Sequence, residues 1–190
     1  MKPTELSRRR RGRPAGKSAQ LSSEQILSAA AQLAQRQGQL PSVRQVANVL
    51  QVDPMAIYHY FPSKQLMLEG LVMTLMDSLY TPSADGPWKR ELNRLAKSYI
   101  TLLTCYPGLL QTILSMTAAG PVHLFNGRFF DAVATLHASR RDKRQLLYLL
   151  VDYIHGVVFA SQCAPGLELD EMHKQLTRTV NLVSRGLAAN

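Results

Sequence analysis

The chain has 190 residues, 46% hydrophobic and 18% charged, with a formal net charge of +9. That balance describes a globular chain able to bury a sizeable core and excludes a disordered one. Two cysteines, Cys105 and Cys163, are too few for a disulfide framework or a four-thiolate zinc site, and they fit a reducing compartment, the cytoplasm.

The charge is concentrated at the start. Residues 1–20 hold Lys2, Arg8, Arg9, Arg10, Arg11, Arg13 and Lys17 against one acid, Glu5, so +6 of the +9 lies there. Such an arm on a near-neutral body points to a polyanion, either nucleic acid or an anionic membrane surface. No apolar run follows it, since residues 14–25 read PAGKSAQLSSEQ, and a signal peptide is not expected. Arg11-Gly12-Arg13-Pro14 matches the core of an AT-hook, in which glycine permits a flat approach and Arg11 and Arg13 enter a narrow A·T minor groove. The other reading is an arm held near phosphates by charge alone. Gly12 to Ser18 is not a phosphate loop, because only three residues separate Gly12 from Gly16 and no strand precedes them.

No stretch alternates as a strand for long, and the chain reads as all-α. The first helix opens on a Ser22/Gln25 capping box, with Leu21 and Ile26 as a hydrophobic staple, and Gly38 stops it. A second, shorter helix opens at Pro41-Ser42 with a Ser42/Gln45 box, and Gln51-Val52 breaks its period. Asp53-Pro54 caps a brief third helix, Pro54 to Tyr60. Ser63 caps a fourth, from Lys64 to about Leu79. A Pro/Ser/Gly-rich linker, 81–87, separates this unit from helices expected at about 88–105, 108–118, 121–138, 141–162 and 168–187.

Residues 42–60 have the layout of a helix-turn-helix. Val46, Ala47, Leu50, Val52 and Ile57 would lock two short helices together, and both helix N-termini are capped and able to face phosphates. On periodicity alone a structural helical hairpin fits as well. The stretch from Ser42 to Leu68, above all Ile57-Tyr58-His59-Tyr60-Phe61 followed by Ser63-Lys64 and Leu66 to Leu68, resembles the DNA-binding signature of TetR/AcrR-type bacterial regulators. The resemblance implies a three-helix head with a helix-turn-helix and a helical-bundle body for ligand binding and dimerisation. Its boundaries would be 1–20 for a disordered basic arm, 21–66 for the DNA-binding domain and 67–190 for the body. It implies a homodimeric repressor whose heads read a palindrome and whose body binds a small molecule.

By the same resemblance, Tyr58, Tyr60 and Lys64 fall at phosphate-contacting positions, and Ser42 and Arg44 where the second helix meets the backbone or a base edge. Pro54, Met55, Ala56 and His59 fall on the base-reading side of the third helix. Two departures stand out. Gln51 occupies a turn position usually held by glycine and must take a left-handed conformation or another turn. The reading face carries no Gln, Asn or Arg, so specificity would rest on Arg44, thymine-methyl contacts and DNA shape.

In the body, no Asp, Glu, Lys or Arg lies between Lys97 and Arg128. This stretch is the expected cavity wall, with Tyr99, Leu103, Tyr106, Met116, His123, Phe125 and Phe129 as lining residues for an apolar or aromatic effector. Pro107-Gly108 and Gly120-Pro121 cut it into pieces too short to cross ~30 Å of hydrocarbon. The stretch from Leu146 to Ala160 is apolar nearly all round. Its Asp152 would cost ~2.5–3.5 kcal/mol at a bilayer centre, so no membrane partner is expected. Asp152 would instead pair with His155, meet a donor across a dimer or contact the effector. A helix so apolar must be covered, and the resemblance implies a four-helix dimer interface. That interface would use Leu147, Leu150, Ile154, Gly156 and Val157 against Leu176, Val180, Val183 and Leu187.

No nucleophile elbow, zinc-protease helix or cysteine pair with metal spacing is present in the sequence. The reading is therefore of a non-enzymatic regulator without cofactor or metal, whose partners are double-stranded DNA, a small effector and a second copy of itself. The alternative is a sequence-tolerant architectural DNA binder using the AT-hook-like arm.

Overall fold

A computed structural model describes residues 21–116, 119–163 and 166–188, with side chains through residue 186. Over these residues the chain forms nine helices and no strand. The arm, with Arg11 and Arg13, lies outside the described residues, as does the Leu187 side chain.

Local chemistry sets the first four helices. In α1 (Ser23–Gln37) the Ser22 hydroxyl accepts the Gln25 N–H at 3.2 Å and the Gln25 side chain accepts the Ser22 N–H at 3.2 Å. Gly38 ends the helix in the left-handed region, at φ 62. In α2 (Val43–Leu50) Ser42 and Gln45 repeat the box, at 3.3 and 2.8 Å. Gln51 then turns the chain at φ 54, ψ 42, and its N–H and that of Val52 both reach the Ala47 carbonyl. It is the one positive-φ residue other than glycine among those described. Asp53 caps α3 (Pro54–Tyr58) by accepting the Met55 N–H at 2.7 Å. The helix stops two residues short of Tyr60. Ser63 caps α4 (Lys64–Asp77) through the Leu66 N–H.

The body comprises α5 (Trp88–Cys105), α6 (Leu109–Ser115), α7 (Gly120–Ala132), α8 (Arg140–Cys163) and α9 (Leu169–Ala188). The α6 and α7 helices are shorter than their sequences suggest. Past Ala132 the chain drops into the core through Val133 and Leu136. The Thr135 hydroxyl bonds the Gly86 carbonyl at 2.9 Å, so a tertiary tie ends α7 six residues early.

The 81–87 segment is likewise fastened. Buried Glu91 accepts the Tyr80 hydroxyl at 2.5 Å, the Ser83 N–H at 3.1 Å and the Arg90 Nε at 3.1 Å. A β-carbon at Gly86 would come within 2.7 Å of the Glu91 side chain, so only glycine lets the loop lie this close. One apolar cluster runs from Ile26 in α1 through Leu71 and Val72 in α4 to Ile100 in α5 and Val180 in α9. Both α8 and α9 pack on α5, and α4 packs on α1, α6 and α7. Helix α4 is thus shared by the head and the body.

Candidate nucleic-acid interface and body cavity

Val46, Ala47 and Ile57 are fully buried and clamp α2 against α3, with Leu50 and Val52 partly buried beside them. This frees the opposite side of α3. Met55 is 63% exposed, Tyr58 38%, and Arg44, His59 and Lys64 are also exposed. Pro54 and Ala56 are half-buried. Asp53 is the sole acid between Ser42 and Lys64, and its carboxylate is engaged by the Met55 N–H. Neither α2 nor α4 has an acid in its first turn, so their amino ends keep the positive potential that favours phosphate.

Two of the expected contact residues, Ser42 and Tyr60, also make bonds within the chain. The Ser42 hydroxyl donates to the Gln45 side chain at 2.9 Å and accepts its N–H. These two bonds fix the amino end of α2. The Tyr60 hydroxyl donates to the Leu21 carbonyl. Through this bond Tyr60 ties the start of α1 to the end of the reading unit.

A cavity of about 350 Å³ opens in the body between α4, α5, α6, α7 and α8. The uncharged stretch supplies Tyr99, Met116 and Phe125, together with Ile113, Leu114, Pro121, Val122 and Asn126. Met76 of α4 and Leu147, Tyr148, Val151, Asp152 and His155 of α8 complete the wall. Of the expected lining residues, four lie elsewhere. Leu103 and Phe129 are in solid core at 0% exposure. Tyr106 lines a separate groove with Gln35 and Leu79, and His123 is exposed outside the wall.

Inside the cavity the Tyr99 hydroxyl and His155 Nε2 are 3.0 Å apart, and the Tyr99 and Phe125 rings are 4.8 Å apart. Burial pushes the Tyr99 phenol far up and lowers His155, the latter opposed by the charge of Asp152. Both groups are neutral near pH 7, so one donates to the other as ordinary hydrogen-bond partners. Sequence reasoning missed the α8 wall as a set. Its signal is the spacing 148, 151, 152, 155, a single helical stripe. No group of three or more His, Cys, Asp or Glu able to hold a metal occurs among the described residues.

Five residues expected at a dimer interface are used within the chain itself. Leu147, Leu150, Ile154, Leu176 and Val180 are 0–4% exposed because α8 and α9 turn these sides onto their own subunit's core. The outward face of α8 instead carries Leu149 and Phe159 at 51 and 57% exposure, with Tyr148, 54% exposed, on the same side at the mouth of the cavity. Gly156 stands open, Val157 is half-buried, and α9 adds Leu182 at 67% exposure beside half-buried Val183. By length and apolarity α8 is able to cross a membrane, with a mean hydropathy of 1.4 over an 18-residue window that is 28% buried here.

Residues 26–71 match the family profile described as bacterial regulatory proteins, tetR family. The HTH-type transcriptional repressor DrrR1 of Streptomyces coeruleorubidus is 31% identical over 108 residues. The match takes in 53% of this chain and 38% of that protein, so the chain spans well under half of the curated relative. Among solved structures, a TetR variant from Acinetobacter baumannii in complex with minocycline superposes with a TM-score of 0.69 at 19% identity, over 90% of this chain and 98% of that one. BioQ with its double-stranded DNA operator superposes with a TM-score of 0.67 at 19% identity, over 90% and 100%. Residues 26–71 thus carry the DNA-binding segment described for the tetR family, and the fold of the described residues is the one seen in solved TetR structures.

Proposed function

We propose that the protein is a cytoplasmic, non-enzymatic transcriptional repressor, a homodimer released from a palindromic operator by a small molecule. The observation that carries this reading is the shared α4. It has one end in a head whose short α3 is capped, clamped and outward-facing, and the other in the wall of a body cavity. Arg44, Met55, Tyr58, His59 and Lys64 are the proposed DNA-contacting residues of the head, with Pro54 and Ala56 against sugars. Ser42 and Tyr60 position them. Arg11 and Arg13 would add minor-groove contacts. The working division is 1–20 arm, 21–66 head, 67–190 body. The exposed apolar strip of α8 and α9 supports pairing of two copies, with Gly156 allowing close helix approach.

An effector that fits the cavity only after α4 shifts would change the separation of the two heads, which must match successive major grooves roughly 34 Å apart. It acts through its differential affinity for the two arrangements. The test is competition binding of the full chain to duplex DNA at fixed salt. Selected sites should be preferred by at least ~10³ over random duplex, and Lys64→Ala should lower the salt slope by about 1. A ratio near one would replace this reading with that of an architectural binder acting through the arm.

A further inference from the structure

We infer that the head reads the C5 methyl group of a pyrimidine through Met55, so that thymine and 5-methylcytosine count as the same letter at that position. The inference rests on the DNA-reading role proposed above for α3, and it names what α3 reads. Met55, 63% exposed, is the most exposed large apolar side chain of the head. Its backbone is fixed on two sides. The Met55 N–H donates to the Asp53 carboxylate at 2.7 Å, and the fully buried Ile57, two residues on, pins α3 against α2. An apolar side chain thus stands out from a rigid helix, at a fixed point where covering it is favourable.

Its surroundings narrow the target. Pro54 and Ala56 on either side carry no side-chain donor or acceptor. The groups able to reach polar base edges or phosphates stand elsewhere, Arg44 on α2, Tyr58 and His59 beyond Ile57, and Lys64 on α4. The first turn of α3 therefore offers a duplex hydrocarbon and sulfur. In the major groove every base pair shows polar groups, and thymine alone of the four bases adds a methyl. Methionine suits that contact, because its unbranched chain and polarisable sulfur adapt to an apolar surface. Methylation of cytosine at C5 places the same group at the same point of the pyrimidine ring. A hydrogen-bonding reader would separate T·A from methylated C·G by their exchanged amino and carbonyl groups. The Met55 side chain has no donor with which to do so.

The experiment uses duplexes selected from a random pool by the full chain, with affinity measured at fixed salt. Each thymine of the selected site is replaced in turn by deoxyuridine, which removes only the methyl. Covering one methyl changes affinity about fourfold, and a thymine in each half-site should show that loss. Met55→Ala should bind the thymine duplex as weakly as the unaltered chain binds the uracil one, and should not distinguish the two. Met55→Leu should keep most of the difference. Lys64→Ala should weaken both duplexes alike. Exchanging the same thymine for cytosine should also weaken binding, and methylating that cytosine should recover about fourfold in the unaltered chain and nothing in Met55→Ala. Met55 lies outside the core, so an unchanged urea midpoint verifies that the variant is folded. No thymine sensitive to uracil, a uracil loss that persists in Met55→Ala, or a methylated cytosine bound no better than the bare base would each overturn the inference. A selected sequence bound without methyl dependence rejects this inference alone. A pool from which no sequence emerges rejects the regulator reading, and this inference with it.

Discussion

Arg128 of α7 closes over the end of α4. Its Nη1 donates to the Met76 and Leu79 carbonyls at 3.0 and 2.7 Å, and its Nη2 to the Asp77 carbonyl at 2.9 Å. It also meets the Asp77 carboxylate at 3.2 Å. The guanidinium side chain is 13% exposed and that of Asp77 is 80% exposed. The carbonyl bonds therefore dominate, and the ion pair adds little. A hydrogen bond to a charged donor contributes ~1.5–3 kcal/mol net. The three share one side chain, and the freed carbonyls at a helix end regain water, so Arg128→Ala is expected to cost about 2–3 kcal/mol. Asp77→Ala should stay within about 0.5 kcal/mol. Arg128→Lys should recover less than half of the loss, since an ammonium lacks the planar fork that reaches three acceptors at once. Urea unfolding of the full-length variants reads all three, at one protein concentration so that any self-association enters each measurement equally. Equal costs for Arg128→Ala and Asp77→Ala, or a loss below 0.5 kcal/mol for Arg128→Ala, would refute the assignment of the clasp to backbone carbonyls.

Two further outcomes are expected. Gln51 holds φ 54, a conformation costing a side-chain-bearing residue ~1–2 kcal/mol, while glycine loses ~0.5–1 kcal/mol in added unfolded freedom. Gln51→Gly should therefore raise the unfolding midpoint by the equivalent of up to ~1.5 kcal/mol, and a lowered midpoint would show that the turn is held by the glutamine itself. Glu91 is held down to about 2, first by the Tyr80 hydroxyl and then by the Ser83 N–H. Its folded value lies below the ordinary 4.5, so its contribution is complete above that pH and is lost as the pH falls from 4.5 toward 2. Glu91→Gln should flatten the acid limb of the stability curve in that window, and an unchanged limb would remove Glu91 as its source.

What was legible in the sequence was what neighbours in sequence decide. Ser22 with Gln25, Ser42 with Gln45, Asp53 with Pro54, and Ser63 each close a helix end within three residues. The end of α2 was legible too, because the apolar period breaks at Gln51, and the left-handed conformation found there is one of the two that the resemblance left open. The end of α7 was not, since it depends on Thr135 meeting Gly86, 49 residues away. The cavity was half legible. A charge-free stretch marks one wall, but only packing decides that Leu103 and Phe129 fill core while Tyr99 and Phe125 border space. The same limit governs α8. A helix apolar on all sides gives no sign of which side meets its own subunit, so Leu147, Leu150 and Ile154 read as interface although they are core.

The clasp gives the proposed coupling a physical route. Phe125 and Asn126 line the cavity, and Arg128, two residues beyond Asn126 on α7, grips the last carbonyls of α4. Met76 of α4 is itself part of the wall. Midway along its length α4 meets the head at Gly70, where a β-carbon would lie 3.1 Å from Leu27 and 3.2 Å from Phe61. That approach leaves no slack. Close-packed interiors transmit displacement instead of absorbing it. A ligand that displaces the α7 wall must therefore either break the Arg128 bonds or carry α4 with it. Shifting α4 in turn moves α1 and the residues that follow α3. The energy available is the ligand's preference for the shifted arrangement. In the proposed coupling an intact clasp would convert that preference into head movement, and a broken one would spend it in local rearrangement at the end of α4.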